Sequence, residues 1–94
     1  MSLDTIRGEI EKVDYEILKL LARRMDLAEA IIEEKKTKGM AINDDRQNSL
    51  VIKRAMEKAT ELNIDTVAVR EIFSRLIQMS IDRQHEMSGE GKLP

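Results

Sequence analysis

Residues 3–38 read LDTIRGEIEKVDYEILKLLARRMDLAEAIIEEKKTK, and the folding of this stretch decides the architecture of the whole chain. Leu3, Ile6, Ile10, Val13, Ile17 and Leu20 recur at spacings of three or four, and Leu27 and Ile31 resume the series beyond position 24. A second stripe of Leu18, Leu21, Met25, Ala28 and Ile32 runs beside the first. This is the period of one helical face, widened to two adjacent rows. No Pro or Gly lies between residues 9 and 38 to invite a kink, and Gly39 supplies a C-terminal stop. The stretch therefore predicts one helix about 54 Å long at 1.5 Å per residue. A compact chain of this length has a radius of gyration of only about 12 Å. Such a helix outruns any globule its own chain can build, and a second copy of the chain is the simplest cover for its apolar face. The expectation is a helical homodimer.

Outward from this helix the pattern continues. Ala41-Ile42-Asn43-Asp44-Asp45 leads into a second helix, with Asn43 or Asp44 as its cap and Leu50, Val51, Ala55, Met56, Ala59 and Leu62 on its apolar side. Asn63-Ile64-Asp65-Thr66 offers a break and a new cap. A third helix then runs to about Met87, with Val69, Ile72, Phe73, Leu76 and Ile77 as its stripe. Ser88 to Pro94 reads as a frayed tail. The prediction is an all-α fold of three helices with a long first helix, forming a single domain over residues 1–94. Tyr15 and Phe73 are the only aromatics, so the core must come from Leu, Ile, Val, Ala and Met.

Composition excludes several functions. The net charge is −2, and two aromatics make no stacking platform, so nucleic acid is not an expected partner. There is no Cys, which rules out disulfides and thiolate metal sites, and His85 is a lone histidine. No cofactor or metal is expected. No apolar run approaches the ~20 residues needed to span a bilayer. The N-terminus lacks a signal-peptide pattern, so a cytoplasmic location without membrane association is expected.

Polar residues interrupt the apolar faces at a few points. Position 24 of the first seam is Arg24, and a guanidinium on a buried stripe is costly unless it is paired or faces a wet cavity. Lys35 follows eleven residues later, about three turns and 16 Å along the same side. On the third helix Ser80 and Gln84 stand where the stripe predicts apolar residues. Arg7 lies roughly 25 Å from Arg24, too far to act in cis but within reach of an antiparallel partner's site. Each residue also has a plainer reading. Arg24 beside Arg23 fits a surface pair out of register. Lys35 in Glu33-Glu34-Lys35-Lys36 fits a solvated face. Arg46 fits a partner for the acids at a helix start, and Ser80 and Gln84 fit boundary positions. Taken together, the set describes an anion pocket inside a helical dimer.

These residues also carry a resemblance. Ile6-Arg7, Ile10-Glu11-Lys12-Val13-Asp14, Leu20-Leu21-Ala22-Arg23-Arg24, Lys35, Asn43-Asp44-Asp45-Arg46 and Phe73 to Ser80 with Gln84 are similar, in order and spacing, to the all-helical, AroQ-type chorismate mutases. The resemblance covers about residues 3–86. It implies an intertwined dimer of three-helix chains and the cofactor-free rearrangement of chorismate to prephenate, a step toward phenylalanine and tyrosine. It implies that the partner's Arg7 and Arg24 bind the substrate's two carboxylates. Lys35 and Gln84 would act on the ether oxygen, with Ser80 and Arg46 completing the polar lining. The family's ring-hydroxyl acids fall at Asn43 and Gln47 if the first connection is one residue shorter than in the bacterial form, which leaves both positions uncharged here. The readings that compete are an isochorismate pyruvate lyase, similar in fold and cationic pocket, and a non-catalytic helical dimerisation module.

Overall fold

The computed structural model describes residues 1–42 and 44–88; among them every element is helical. Helix α1 spans Leu3–Lys38, α2 spans Asp45–Glu61 and α3 spans Thr66–Ser88. Each boundary has a local cause. Ser2 caps α1, its hydroxyl accepting from the Thr5 N–H at 3.1 Å, and Asp4 adds negative charge at the positive helix end. Gly39 ends α1 in the left-handed region at φ 66°, with its own N–H on Lys36 and the Met40 N–H on Lys35. Glycine adopts this conformation without the Cβ penalty other residues incur. Asp44 is the cap of α2, accepting from the Gln47 N–H at 3.1 Å. Asn63 turns the chain at φ 59°, and the Asp65 carboxylate then accepts from the Ala68 N–H to start α3. Of the two cap candidates for α2, the expected cap on Asn43 lies outside the described residues. Ser88, expected to open a frayed tail, is still helical; the rest of that expected tail, residues 89–94, lies outside the described residues.

Helix α3 packs against both other helices, whereas α1 and α2 do not pack on each other. The molecule extends 54 × 27 × 23 Å with a radius of gyration of 16.5 Å. Its long dimension is the length of α1, and it is far from a sphere.

The two stripes of α1 have different fates. Ala28 and Ile32, from the second stripe, are buried against α3 and, with Ala59, are the fully buried apolar residues. Leu21 and Met25 of the same stripe are half-buried. The first seam is not core within its own chain: Leu3, Ile6, Ile10, Val13, Ile17 and Leu20 are all exposed. From residue 1 to residue 20 every residue but Gly8 is exposed. Further along the same seam, Arg24, Leu27, Ile31 and Lys35 turn from an unpaired surface into the wall of a cleft.

Candidate active site

The cleft opens between the C-terminal half of α1, the first turns of α2 and the second half of α3, with a volume of about 300 Å³. That is the lower end of the range for small-molecule pockets. Its apolar walls come from residues such as Leu27, Ile31, Val51, Ile77 and Ile81, and its polar groups converge from all three helices.

Arg24 enters from α1. Its Nη1 donates to the Leu76 carbonyl at 2.9 Å and to the Ser80 hydroxyl at 2.6 Å. The Ser80 hydroxyl donates in turn to Leu76, one turn back on its own helix. The guanidinium is thus oriented by α3 using one nitrogen, leaving other donors of the fork available. Desolvation by burial pushes its pKa below the usual arginine value, which measures the cost of holding a cation here without an anion beside it. It remains protonated regardless.

Lys35 enters three turns later. Its ammonium donates to the Ile42 carbonyl in the α1–α2 connection and to Gln84 Oε1 at 3.4 Å. Gln84 is 5% exposed, the one buried polar residue among the described residues. With its Oε1 on Lys35, its amide N–H₂ is the group free to donate to a ligand. No buried side-chain nitrogen or oxygen among the described residues lacks a partner.

The sequence-predicted residues Arg24, Lys35, Ser80, Gln84 and Gln47 therefore share one cavity. Arg7 does not join them; it stands on the exposed N-terminal half of α1. Arg46 does not line the cleft; it faces an adjoining shallow depression with Ser49, Leu50 and Lys53, which shares Asp44 and Gln47 with the cleft. Asn43 lies outside the described residues. Two polar residues of the wall were not anticipated as site residues: Asp44, given no role beyond a helix cap, and Asn48. They keep the four-residue spacing of the anticipated Asn43/Gln47 pair but sit one position later. The signal that finds them is the cap itself. Once Asp44 is the residue before the helix, residues 44, 47, 48 and 51 share one face.

The arrangement is two fixed cations and several neutral donors around a small, mostly apolar cavity. No group of three or more His, Cys, Asp or Glu among the described residues is placed to hold a metal ion. No described helix is long and apolar enough to cross a membrane.

Comparison with known proteins identifies the family. The chorismate mutase of Methanocaldococcus jannaschii is 36% identical over 76 residues, covering 81% of this chain and 77% of that protein. The bifunctional chorismate mutase/prephenate dehydratase of Buchnera aphidicola is 27% identical over 86 residues, covering 92% of this chain but only 22% of that longer enzyme. No solved structure gives a significant match. A family profile described as chorismate mutase type II matches residues 6–85, which takes in most of α1 and α3, all of α2 and every described cleft residue, and the chain belongs to that family.

Proposed function

We propose that the protein is a chorismate mutase whose cleft rearranges chorismate to prephenate, and that it works as a homodimer. The observation that carries the activity is the pairing of Lys35 with Gln84 three turns from Arg24 in one cavity. The reaction is a concerted [3,3] shift that breaks one C–O bond and forms one C–C bond within a single molecule. It requires no nucleophile or proton transfer. What a protein can contribute is restraint of the flexible enolpyruvyl arm over the ring and stabilisation of negative charge growing on the ether oxygen.

The residues divide that work. Arg24 holds one carboxylate of the dianion, and the ligand's charge offsets the burial cost of the guanidinium. Lys35 and the Gln84 amide donate to the ether oxygen, where they act more strongly in the transition state than on bound substrate. Ser80 fixes Arg24 and completes the lining. Asp44 and Asn48, with Gln47 beside them, face the ring hydroxyl; Asp44 accepts from it and Asn48 meets it without charge.

The dimer reading rests on the exposed seam. Ile10, Val13 and Ile17 are at least half exposed, on a row that is exposed from Leu3 to Leu20. Burying one such side chain gains roughly 1.5–3 kcal/mol. Two α1 helices crossing antiparallel cover the row and bring the partner's Arg7 to the open end of the cleft, where it binds the second carboxylate. Arg46, outside the cleft of its own chain, is left to interactions along α2. A cytoplasmic location is consistent with these roles.

The test is a time course of the purified protein with chorismate and, separately, isochorismate. Saturable conversion of chorismate to prephenate is expected. Release of pyruvate and salicylate from isochorismate in preference would assign the lyase instead. Inertness of a folded dimer toward both would leave a non-catalytic helical module.

A further inference from the structure

The seam between α1 and α3 has two sides. On the cleft side it is tied by Arg24 to Ser80 and by Lys35 to Gln84. On the opposite side lies a shallow groove holding five charged residues: Asp26 and Glu29 from α1, and Asp82, Arg83 and Glu86 from α3. Four are acids and one is a cation. Arg83 Nη2 reaches Glu29 Oε1 across the seam at 3.3 Å, and its Nη1 reaches Glu86 at 3.5 Å. Lys12–Glu9, Lys19–Glu16 and Lys58–Glu61 stay within single helices, whereas Arg83–Glu29 joins two.

Arg83 immediately precedes Gln84 in the chain, on the other side of α3's contact with α1. Helices α1 and α3 run in the same direction here, since Arg24 meets Ser80 and Lys35 meets Gln84 in the same order. Small rotations or slides of α3 are therefore felt directly at Gln84. Its 3.4 Å contact with Lys35 is near the outer limit of a hydrogen bond, so a shift of a few tenths of an ångström breaks it.

We propose that Arg83, anchored by Glu29, is a positioning residue that sets the rotation of α3 and so holds Gln84 against Lys35. The inference rests on the mutase reading of the cleft. An ion pair this exposed adds little to stability. Its effect is geometric. Without Arg83 the groove keeps two carboxylates on each helix with no cation between them, and their repulsion opens the seam from behind. Catalysis falls steeply with such misplacement.

The experiment compares R83Q, R83K and wild type in chorismate turnover, each also in a Q84A background. The expected result for R83Q is a kcat lowered about three- to tenfold with KM changed less than twofold, since Arg24 keeps its own partners on α3. R83K recovers part of the loss. Salt at about 0.5 M recovers much of it too, because screening relieves the carboxylate repulsion, while wild-type kcat does not rise. In the Q84A background R83Q has no further effect on kcat. A wild-type kcat in R83Q, or an equal loss with and without Gln84, overturns the proposal. An inactive wild-type protein would end the mutase reading itself. The position of Gln84 is then read from its side-chain amide resonances in NMR, which shift in R83Q if Arg83 positions it and stay in place if it does not.

Discussion

Arg24 shows how one residue links sequence, energetics and chemistry. It was legible in the sequence because it breaks an apolar series, and the structure shows why the break is tolerated: α3 presents a carbonyl and a hydroxyl to it. Ser80 can satisfy Leu76 without it. Replacement by a similar-sized apolar side chain therefore removes a desolvated cation and leaves no buried polar group stranded. Arg24→Leu is expected to unfold at a temperature no lower than wild type while losing on the order of a hundredfold or more in turnover. A large drop in melting temperature would show that Arg24 is structural instead. Lys35→Ala is expected to lose a comparable factor in kcat with the helical content intact, measured by circular dichroism beside the rate assay. Gln84→Glu tests the donor role through pH. A carboxylate can accept from Lys35 but donates to an ether oxygen only when protonated. This variant should be nearly inactive at neutral pH and gain activity as pH falls toward the carboxylate range, whereas wild type does not follow that slope. Asp44 and Asn48 were hidden because their place in the cleft depends on where α2 starts, and Asn43 and Asp44 are both good caps.

At the scale of elements, helix boundaries were legible wherever a single residue dictates backbone geometry. Gly39 must end α1 because the chain there adopts φ 66°. A Cβ added at Gly39 meets nothing within 4 Å, so Gly39→Ala introduces backbone strain alone. The expected cost is about 1 kcal/mol in denaturant unfolding. No change would mean that the α1–α2 connection relaxes freely, and a much larger one would mean that it holds the cleft open. The apolar period of α1 was equally legible, but period alone does not say which of two adjacent rows faces the chain's own core. The structure divides them: the Ala28–Ile32 row packs on α3, and the row beginning at Leu3 is left uncovered before becoming a cleft wall. The row that packs carries both Ala28 and Ile32 in buried positions. The sequence marks that row only once α3 is known to lie there.

At the scale of the whole molecule, the proposed dimer gives the uncovered row and the second carboxylate site a single explanation. An isolated chain leaves the first five turns of α1 largely exposed and Arg7 without a ligand. Association of two antiparallel chains resolves both. Each site then draws Arg24, Lys35 and Gln84 from one protomer and Arg7 from the other. In the proposed dimer, residue-scale chemistry and molecular shape depend on one interface, centred on the exposed Ile10, Val13 and Ile17. Val13→Glu is expected to weaken the dimer and reduce activity in proportion to the monomer fraction seen by analytical ultracentrifugation. Full activity in a monomeric variant would separate the cleft from the dimer.

Subunit mixing tests whether a mutase site is shared across a homodimer. Arg7→Ala and Lys35→Ala are each expected to be nearly inactive. Unfolded together and refolded as an equimolar mixture, they form heterodimers in which one site has the intact Lys35 of one protomer and the intact Arg7 of the other. Random pairing makes half the dimers mixed and restores about a quarter of wild-type chorismate turnover. Recovery near that level supports the shared site. A refolded dimeric mixture no more active than its parents would contradict it.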